Sequence, residues 1–131
     1  MDKGDTSGPR DIGERTLDYS LRAIRLYRFI EGSRDGAARL IGRQYLRCAT
    51  SIGANVQESR AGESRADFVH KVAIAQKEAR ESIYWLRLLL QSELIPEGRI
   101  MPLLAETKEI LAVLSAIIVK ARRQSNFSEK T

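Results

Sequence analysis

Four polar side chains stand at helical spacing near the middle of the chain. Arg47, Ser51, Asn55 and Glu58 are separated by offsets of four, four and three residues. On a helix they lie within about 80° of one another. Such a stripe could contact a ligand or RNA. It could also form a structural network, with Arg47 paired to a carboxylate such as Glu81 and Asn55 bonded to the backbone of a neighbouring helix end. The structural interpretation is favoured, because fully hydrogen-bonded polar groups can hold packed helices together.

Arginine is concentrated in one part of the chain. Residues 20–47 carry seven arginines and two acids, an excess equal to the net charge of the whole chain, +5. Arginine binds phosphate or carboxylate with two parallel hydrogen bonds. Rows of arginine on two adjacent helices would therefore follow a nucleic-acid backbone. The alternative is a solvated or self-assembly face, with arginine paired to Glu of a neighbouring subunit. The candidate nucleic-acid-binding residues are Arg22, Arg25, Arg28, Arg39, Arg43 and Arg47.

The sequence offers little for catalysis. A di-iron site in a helical bundle needs two Glu-x-x-His pairs, but His70 is the single histidine and Asp67 stands three residues before it. The single cysteine, Cys48, excludes an internal disulfide and a cysteine-based zinc site. We therefore predict no enzyme activity, no catalytic residue, no metal, no cofactor and no small-molecule substrate. An enzyme would need a deep pocket that gathers Glu78, Glu81 and His70.

An aromatic and aliphatic patch ends the third apolar segment. Tyr84, Trp85 and Leu88 could line a cofactor pocket, but a core or a subunit interface is the favoured interpretation for such a patch. These three residues are the candidate interface.

The apolar periodicity predicts an all-α, up-down-up-down antiparallel four-helix bundle with short loops. It predicts a broad apolar face of two neighbouring lines on the first helix, one through Leu17 and one through Tyr19. It also predicts a heptad seam on the third helix from Phe68 to Leu89, and two seams on the fourth, from Leu103 to Ala121 and from Leu104 to Ile118. Residues 1–12 are expected to be a disordered tail, residues 13–123 the bundle and residues 124–131 a second disordered tail. Gly42 and Gly53 interrupt the second helix, which favours a close approach of a neighbouring helix. The predicted helices run from about Gly13 to Glu31, Arg34 or Ala37 to Ser59, Arg65 to Ser92, and Glu97 or Ile100 to Arg123.

No secretory or membrane signal is visible. The first residues have no apolar h-region, and the longest apolar run, residues 116–119, is far below the ~20 residues of a membrane span. We expect a cytoplasmic protein with no membrane partner.

The chain resembles a known family in the segment that begins at Arg47, RCATSIGANVQES. The four-helix-bundle proteins encoded within intervening sequences of 23S ribosomal RNA genes carry a similar signature, approximately Arg-Ala-x-x-Ser-Ile-x-x-Asn-Ile-x-Glu-Gly. The matches are Arg47, Ser51, Ile52, Asn55, Val56 and Glu58, with Gln44 upstream and Phe68, Ile74, Ala75 and Glu81 downstream. The departures are Cys48 for Ala, Ser59 for Gly, and Lys77-Glu78 for Gly-Ser.

This resemblance covers about residues 17–122 and implies more than the residues alone do. It implies a bacterial cytoplasmic bundle without known catalysis, often a ring-shaped homo-oligomer of five. A similar bundle is the accessory protein of diversity-generating retroelements, a basic pentamer that binds nucleic acid and the reverse transcriptase. We expect a basic homo-oligomer, a homopentamer by this resemblance, that binds RNA or DNA. The alternative is a self-assembling scaffold or protein–protein interaction module without nucleic-acid binding.

Overall fold

The computed structural model describes residues 9–62 and 64–130, and side chains from 12 to 62 and from 64 to 124. Within these ranges the structure is all-α, and no strand occurs. The helices are α1 (Pro9–Glu31), α2 (Gly36–Arg60), α3 (Arg65–Gln91) and α4 (Glu97–Lys130). Each helix packs against the next in the chain, and α1 packs against α4. Because the connections are short, neighbouring helices run antiparallel and the predicted four-helix bundle is confirmed.

Side-chain caps start the two central helices. The carboxylate of Asp35 accepts a hydrogen bond of 2.9 Å from the backbone N–H of Ala38 at the start of α2. The hydroxyl of Ser64 accepts one of 3.1 Å from the N–H of Asp67 at the start of α3. α3 ends at Gln91 with Ser92 as its C-cap, and Glu93 then takes a left-handed backbone conformation with φ of 59°. That conformation turns the chain towards α4.

The predicted seams of α3 and α4 form much of the core. The buried seam positions of α3 are Val72, Ala75, Ala79, Ser82, Leu86 and Leu89. On α4 the buried positions of the two predicted seams are Leu103, Leu104, Thr107, Ile110, Leu114, Ile118 and Ala121. Phe68, Leu111 and Ile117 are partly buried against this core.

Only half of the broad apolar face predicted for α1 is buried. Tyr19, Ala23 and Ile30 are fully buried. Leu17 and Leu21, on the neighbouring line, are 52% and 46% exposed. Helix α1 has α2 and α4 as its neighbours, so the line turned away from both is not covered by the part of the chain that the structure describes.

Two glycines of α2 allow α1 to approach closely, as their positions predicted. A Cβ built on Gly42 would lie 2.8 Å from Cγ2 of Ile30. One built on Gly53 would lie 3.3 Å from the backbone oxygen of Thr16. A side chain at either position would therefore push the two helices apart.

Helix extends into both segments that the sequence assigned to tails. α1 begins at Pro9, and Ile12 is buried at 3% exposure. Ile12 lies seven residues before Tyr19 and so on the same buried face. α4 continues to Lys130, since no glycine or proline follows Arg123. The rest of the predicted tails, residues 1–8 and 131, lies outside the described residues.

No helix in the described part of the chain is long and apolar enough to cross a membrane.

Candidate nucleic-acid interface

The stripe on α2 divides into two separate parts. An Nη of Arg47 lies 3.9 Å from a carboxylate oxygen of Glu81 on α3. The thiol of Cys48 lies between them, 3.6 Å from the Arg47 guanidinium and 3.6 Å from the Glu81 carboxylate. The predicted approach of Arg47 to Glu81 is thus present as a loose pair, and it includes Cys48, which the sequence analysis did not place there.

The second part of the stripe bonds within its own helix. The amide of Asn55 donates to the backbone oxygen of Ser51 at 2.9 Å and to its hydroxyl at 3.1 Å. The prediction that Asn55 bonds to the end of a neighbouring helix is wrong, because its amide instead donates to the Ser51 carbonyl one turn earlier in α2. Glu58 is exposed, and no hydrogen bond or ion pair joins its carboxylate to the other stripe residues.

One sulfur and two carboxylate oxygens lie within 4.8 Å of one another where α2 packs on α3. They belong to Cys48, Glu78 and Glu81. Burial and the two carboxylates raise the pKa of the Cys48 thiol to about 12, against the opposing effect of Arg47. Zn²⁺ takes such ligands but needs the thiolate, so a protonated thiol at neutral pH disfavours this use. His70 is exposed and is not part of the cluster.

The arginines of α2 have partners within the chain. Arg39 donates to the backbone oxygen of Ser33 at 2.7 Å and so closes the turn between α1 and α2. Nε of Arg43 lies 3.3 Å from a carboxylate oxygen of Glu31. With Arg47 beside Glu81, all three candidate arginines of α2 are engaged, though Arg43 and Arg47 remain exposed.

The arginines of α1 are placed differently. Arg22 and Arg25 line a groove between α1 and the start of α4, and Arg99 lines the same groove from α4. Arg28 is exposed on the outer side of α1. None of the three α1 arginines forms an ion pair with an acid among the described side chains.

Arg99 was missed by the sequence analysis. It lies far from the arginine-rich segment, and its guanidinium carbon sits 3.7 Å from the centre of the Phe29 ring of α1. Only the packing of α4 on α1 reveals this position, so no local pattern could have found it.

The candidate interface at the end of α3 is half open. Tyr84 is 57% exposed, and its ring centre lies 5.1 Å from that of Trp85 in an edge-on arrangement. Trp85 packs against the core, while its indole nitrogen is buried without a hydrogen-bond partner in the described residues. Leu88 is partly buried.

A basic side chain joins the first and last helices. Arg15 binds the Glu106 carboxylate through two nitrogens, at 2.7 and 2.9 Å, and also reaches Glu109 at 2.8 Å. These contacts lower the pKa of Glu106. Arg15 therefore belongs to the bundle's own structure and leaves the nucleic-acid candidates unchanged.

Comparison with known proteins identifies the family of this bundle. The model of the family described as 23S rRNA-intervening sequence protein matches residues 14–116. The chain belongs to this family. The match covers nearly the whole bundle from α1 into α4, so family membership and fold agree along the chain.

A solved structure supports the same assignment. This 23S rRNA-intervening sequence family protein is similar to a protein of unknown function from the S23 ribosomal protein family of Bacteroides thetaiotaomicron. The two chains are 35% identical, the alignment covers 84% of this chain and 96% of the other, and the TM-score is 0.78. No curated protein matches the chain.

Proposed function

We propose that this protein is a non-enzymatic, self-associating bundle of the bacterial cytoplasm that binds nucleic acid, RNA in the first place. The observation that carries the proposal is the group of α1 arginines without acid partners in the described structure, Arg22, Arg25 and Arg28. Unpaired arginines on one side of a helix raise the local positive potential and attract a phosphate backbone.

The arginines of α2 can extend this surface. Arg43 and Arg47 are 54% and 59% exposed in their ion pairs. Exposed pairs contribute only about 0–1 kcal/mol, so a phosphate can replace the carboxylate at little cost. Arg39 is less available, because its bond to the Ser33 carbonyl holds the turn.

Salt titration tests this binding. With single-stranded RNA, log affinity should fall linearly with log salt, with a slope of about −0.7 for each phosphate contacted. Arg25→Gln and Arg28→Gln should each weaken binding to every sequence alike and reduce the slope by about one contact. Arg80→Gln, an exposed arginine of α3, is the control for net charge. No detectable RNA or DNA binding at 50 mM salt, or equal losses in Arg80→Gln, would contradict the proposal.

A scaffold without nucleic-acid binding is the second candidate. Exposed Leu17 and Leu21 on α1 favour it, together with exposed Leu40 on α2. Leu17 and Leu21 lie one helical turn apart, and neighbouring exposed apolar side chains mark protein contacts. Leu21→Glu should then reduce the mass measured by light scattering, whereas Val119→Glu, at an exposed position of α4, should not. A monomeric wild-type protein would exclude this candidate and the self-association in the first.

A further inference from the structure

The groove between α1 and α4 collects positive charge around a small open space. Its volume is about 290 Å³. Arg22 and Arg25 line it from α1, and Arg99 lines it from the first turn of α4. Its remaining lining residues are Leu26, Gly98, Pro102 and Leu103. A Cβ on Gly98 would meet nothing within 4 Å, so this wall leaves room for a bound group.

Among the described side chains, no acidic residue lines the groove. Glu106 acts on Arg22 through space, but its two oxygens already accept hydrogen bonds from Arg15. Three positively charged arginines around one space repel one another. A bound anion removes that repulsion, and the guanidinium group is the side chain best suited to a phosphate.

One of the three arginines is already restrained. The Arg99 guanidinium rests on the face of Phe29, 3.7 Å from the ring centre, which restricts its rotamers before any ligand arrives. Leu26 and Leu103 beneath are buried, with exposures of 4% each. A side chain already held in place loses less entropy on binding.

We infer that this groove binds a phosphate monoester, supplied by the terminal phosphate of a nucleic-acid strand. A phosphodiester carries one negative charge, whereas a monoester carries about −1.5 to −2 at pH 7 and better matches three arginines. The volume lies just below the range of about 300–1,000 Å³ typical of whole small-molecule sites, and so suits a phosphate with little else attached. This inference rests on the proposed nucleic-acid binding and names a feature that the bound strand carries.

Two oligoribonucleotides of one sequence test it, one with a 5′-phosphate and one with a 5′-hydroxyl. Fluorescence polarisation with a 3′ dye should give about tenfold tighter binding of the phosphorylated strand, the effect of one strong charged contact. Arg99→Gln should remove this preference while retaining most binding of the hydroxyl strand. Arg22→Gln should also remove it and, because Arg22 belongs to the proposed nucleic-acid surface, should weaken binding of the hydroxyl strand by about one contact. Arg80→Gln should keep the preference, and circular dichroism should show that every variant retains its helices.

The pH supplies a second readout. The titratable side chains that line the groove from α1 and α4 are the three arginines. The monoester gains a proton below about pH 6. The preference for the phosphorylated strand should therefore shrink between pH 7.5 and 5.5, and the hydroxyl strand serves as the control.

The outcomes separate this inference from the proposed function. Equal affinity for the two strands, or a preference that survives Arg22→Gln and Arg99→Gln, overturns the monoester site and leaves nucleic-acid binding standing. A third outcome is that neither strand binds, whereas inorganic phosphate binds and Arg99→Gln abolishes this binding. The groove is then a phosphate site, but nucleic acid does not supply the phosphate and the proposed function is wrong.

Discussion

At the residue scale, a row of buried hydroxyl groups crosses the centre of the bundle. Tyr45 donates to the hydroxyl of Tyr19 at 2.9 Å, and Tyr19 lies 2.5 Å from the hydroxyl of Thr107. Thr107 donates to the backbone oxygen of Leu103 at 2.6 Å. Because the Thr107 proton is committed there, Tyr19 must donate to Thr107. Every proton in the row therefore has an acceptor.

The order of donors predicts unequal effects of two similar substitutions. Tyr45→Phe removes the first donor and leaves no proton without an acceptor, so it should cost about 1 kcal/mol. Tyr19→Phe leaves the buried Tyr45 proton unsatisfied and should cost about 2–3 kcal/mol. The double variant should be no less stable than Tyr19→Phe, as urea denaturation will measure. Strictly additive losses would mean that the two hydroxyls are not coupled.

Cys48 gives a second prediction at this scale. Its thiol is fully buried, and its pKa is raised to about 12, so very little thiolate exists at pH 8. The thiolate is the form that reacts. Absorbance with Ellman's reagent at pH 8 should show native Cys48 reacting at least about a hundredfold more slowly than the same residue in urea-unfolded protein. Comparable rates in the two states would show that the thiol is accessible and ionised.

At the scale of single helices, sequence periodicity predicted well which residues of α3 and α4 are buried. It could not decide between the two apolar lines of α1. Tyr19 and Leu21 both belong to helical apolar stripes, yet one is in the core and the other is exposed. Periodicity reports that a face is apolar, whereas burial depends on where the neighbouring helices lie. The end of α3 gives the same lesson, since Leu86 is in the core whereas Tyr84 is exposed.

The contact between α1 and α2 makes Gly42 sensitive to the smallest change. Gly→Ala in an exposed helix stabilises by up to ~1 kcal/mol, but a Cβ at Gly42 would stand 2.8 Å from Ile30. Gly42→Ala should therefore destabilise by about 1–3 kcal/mol. Gly98→Ala is the matched control, because its Cβ would meet nothing within 4 Å. Thermal denaturation should show a lower melting temperature for Gly42→Ala only. A higher melting temperature for both variants would refute the close packing.

At the scale of the whole molecule, the first and last helices are joined by charge as well as by apolar contact. Arg15 binds Glu106 across 91 positions of sequence. Neither residue belongs to a pattern that would have marked it. The same holds for Arg99 beside the α1 arginines. Sequence reasoning thus found the arginines that are close in the chain and missed those that only the closed bundle brings together.

The Arg15–Glu106 pair predicts a pH dependence of stability. The pKa of Glu106 is lowered in the folded protein, so its contribution is present above the unfolded value of about 4.3 and is lost as the pH falls through the folded value. Glu106→Gln should cost about 1–2 kcal/mol at pH 7 and much less near pH 2. Urea denaturation of the wild-type protein and Glu106→Gln at the two pH values measures the difference in their free energies of unfolding. An equal difference at both pH values would contradict the prediction.

The hydroxyl row also bears on which of several nearly equivalent alignments the helices adopt. Apolar seams repeat every seven residues, so α4 could slide by one repeat and still place leucine against leucine. Thr107, however, is followed and preceded at that interval by Leu114 and Ile100, both fully buried. Such a slide moves the threonine by about 10 Å and leaves the Tyr19 proton facing hydrocarbon. Tyr19, Tyr45 and Thr107 therefore act against misregistered bundles, a role that shape and hydrophobicity leave open.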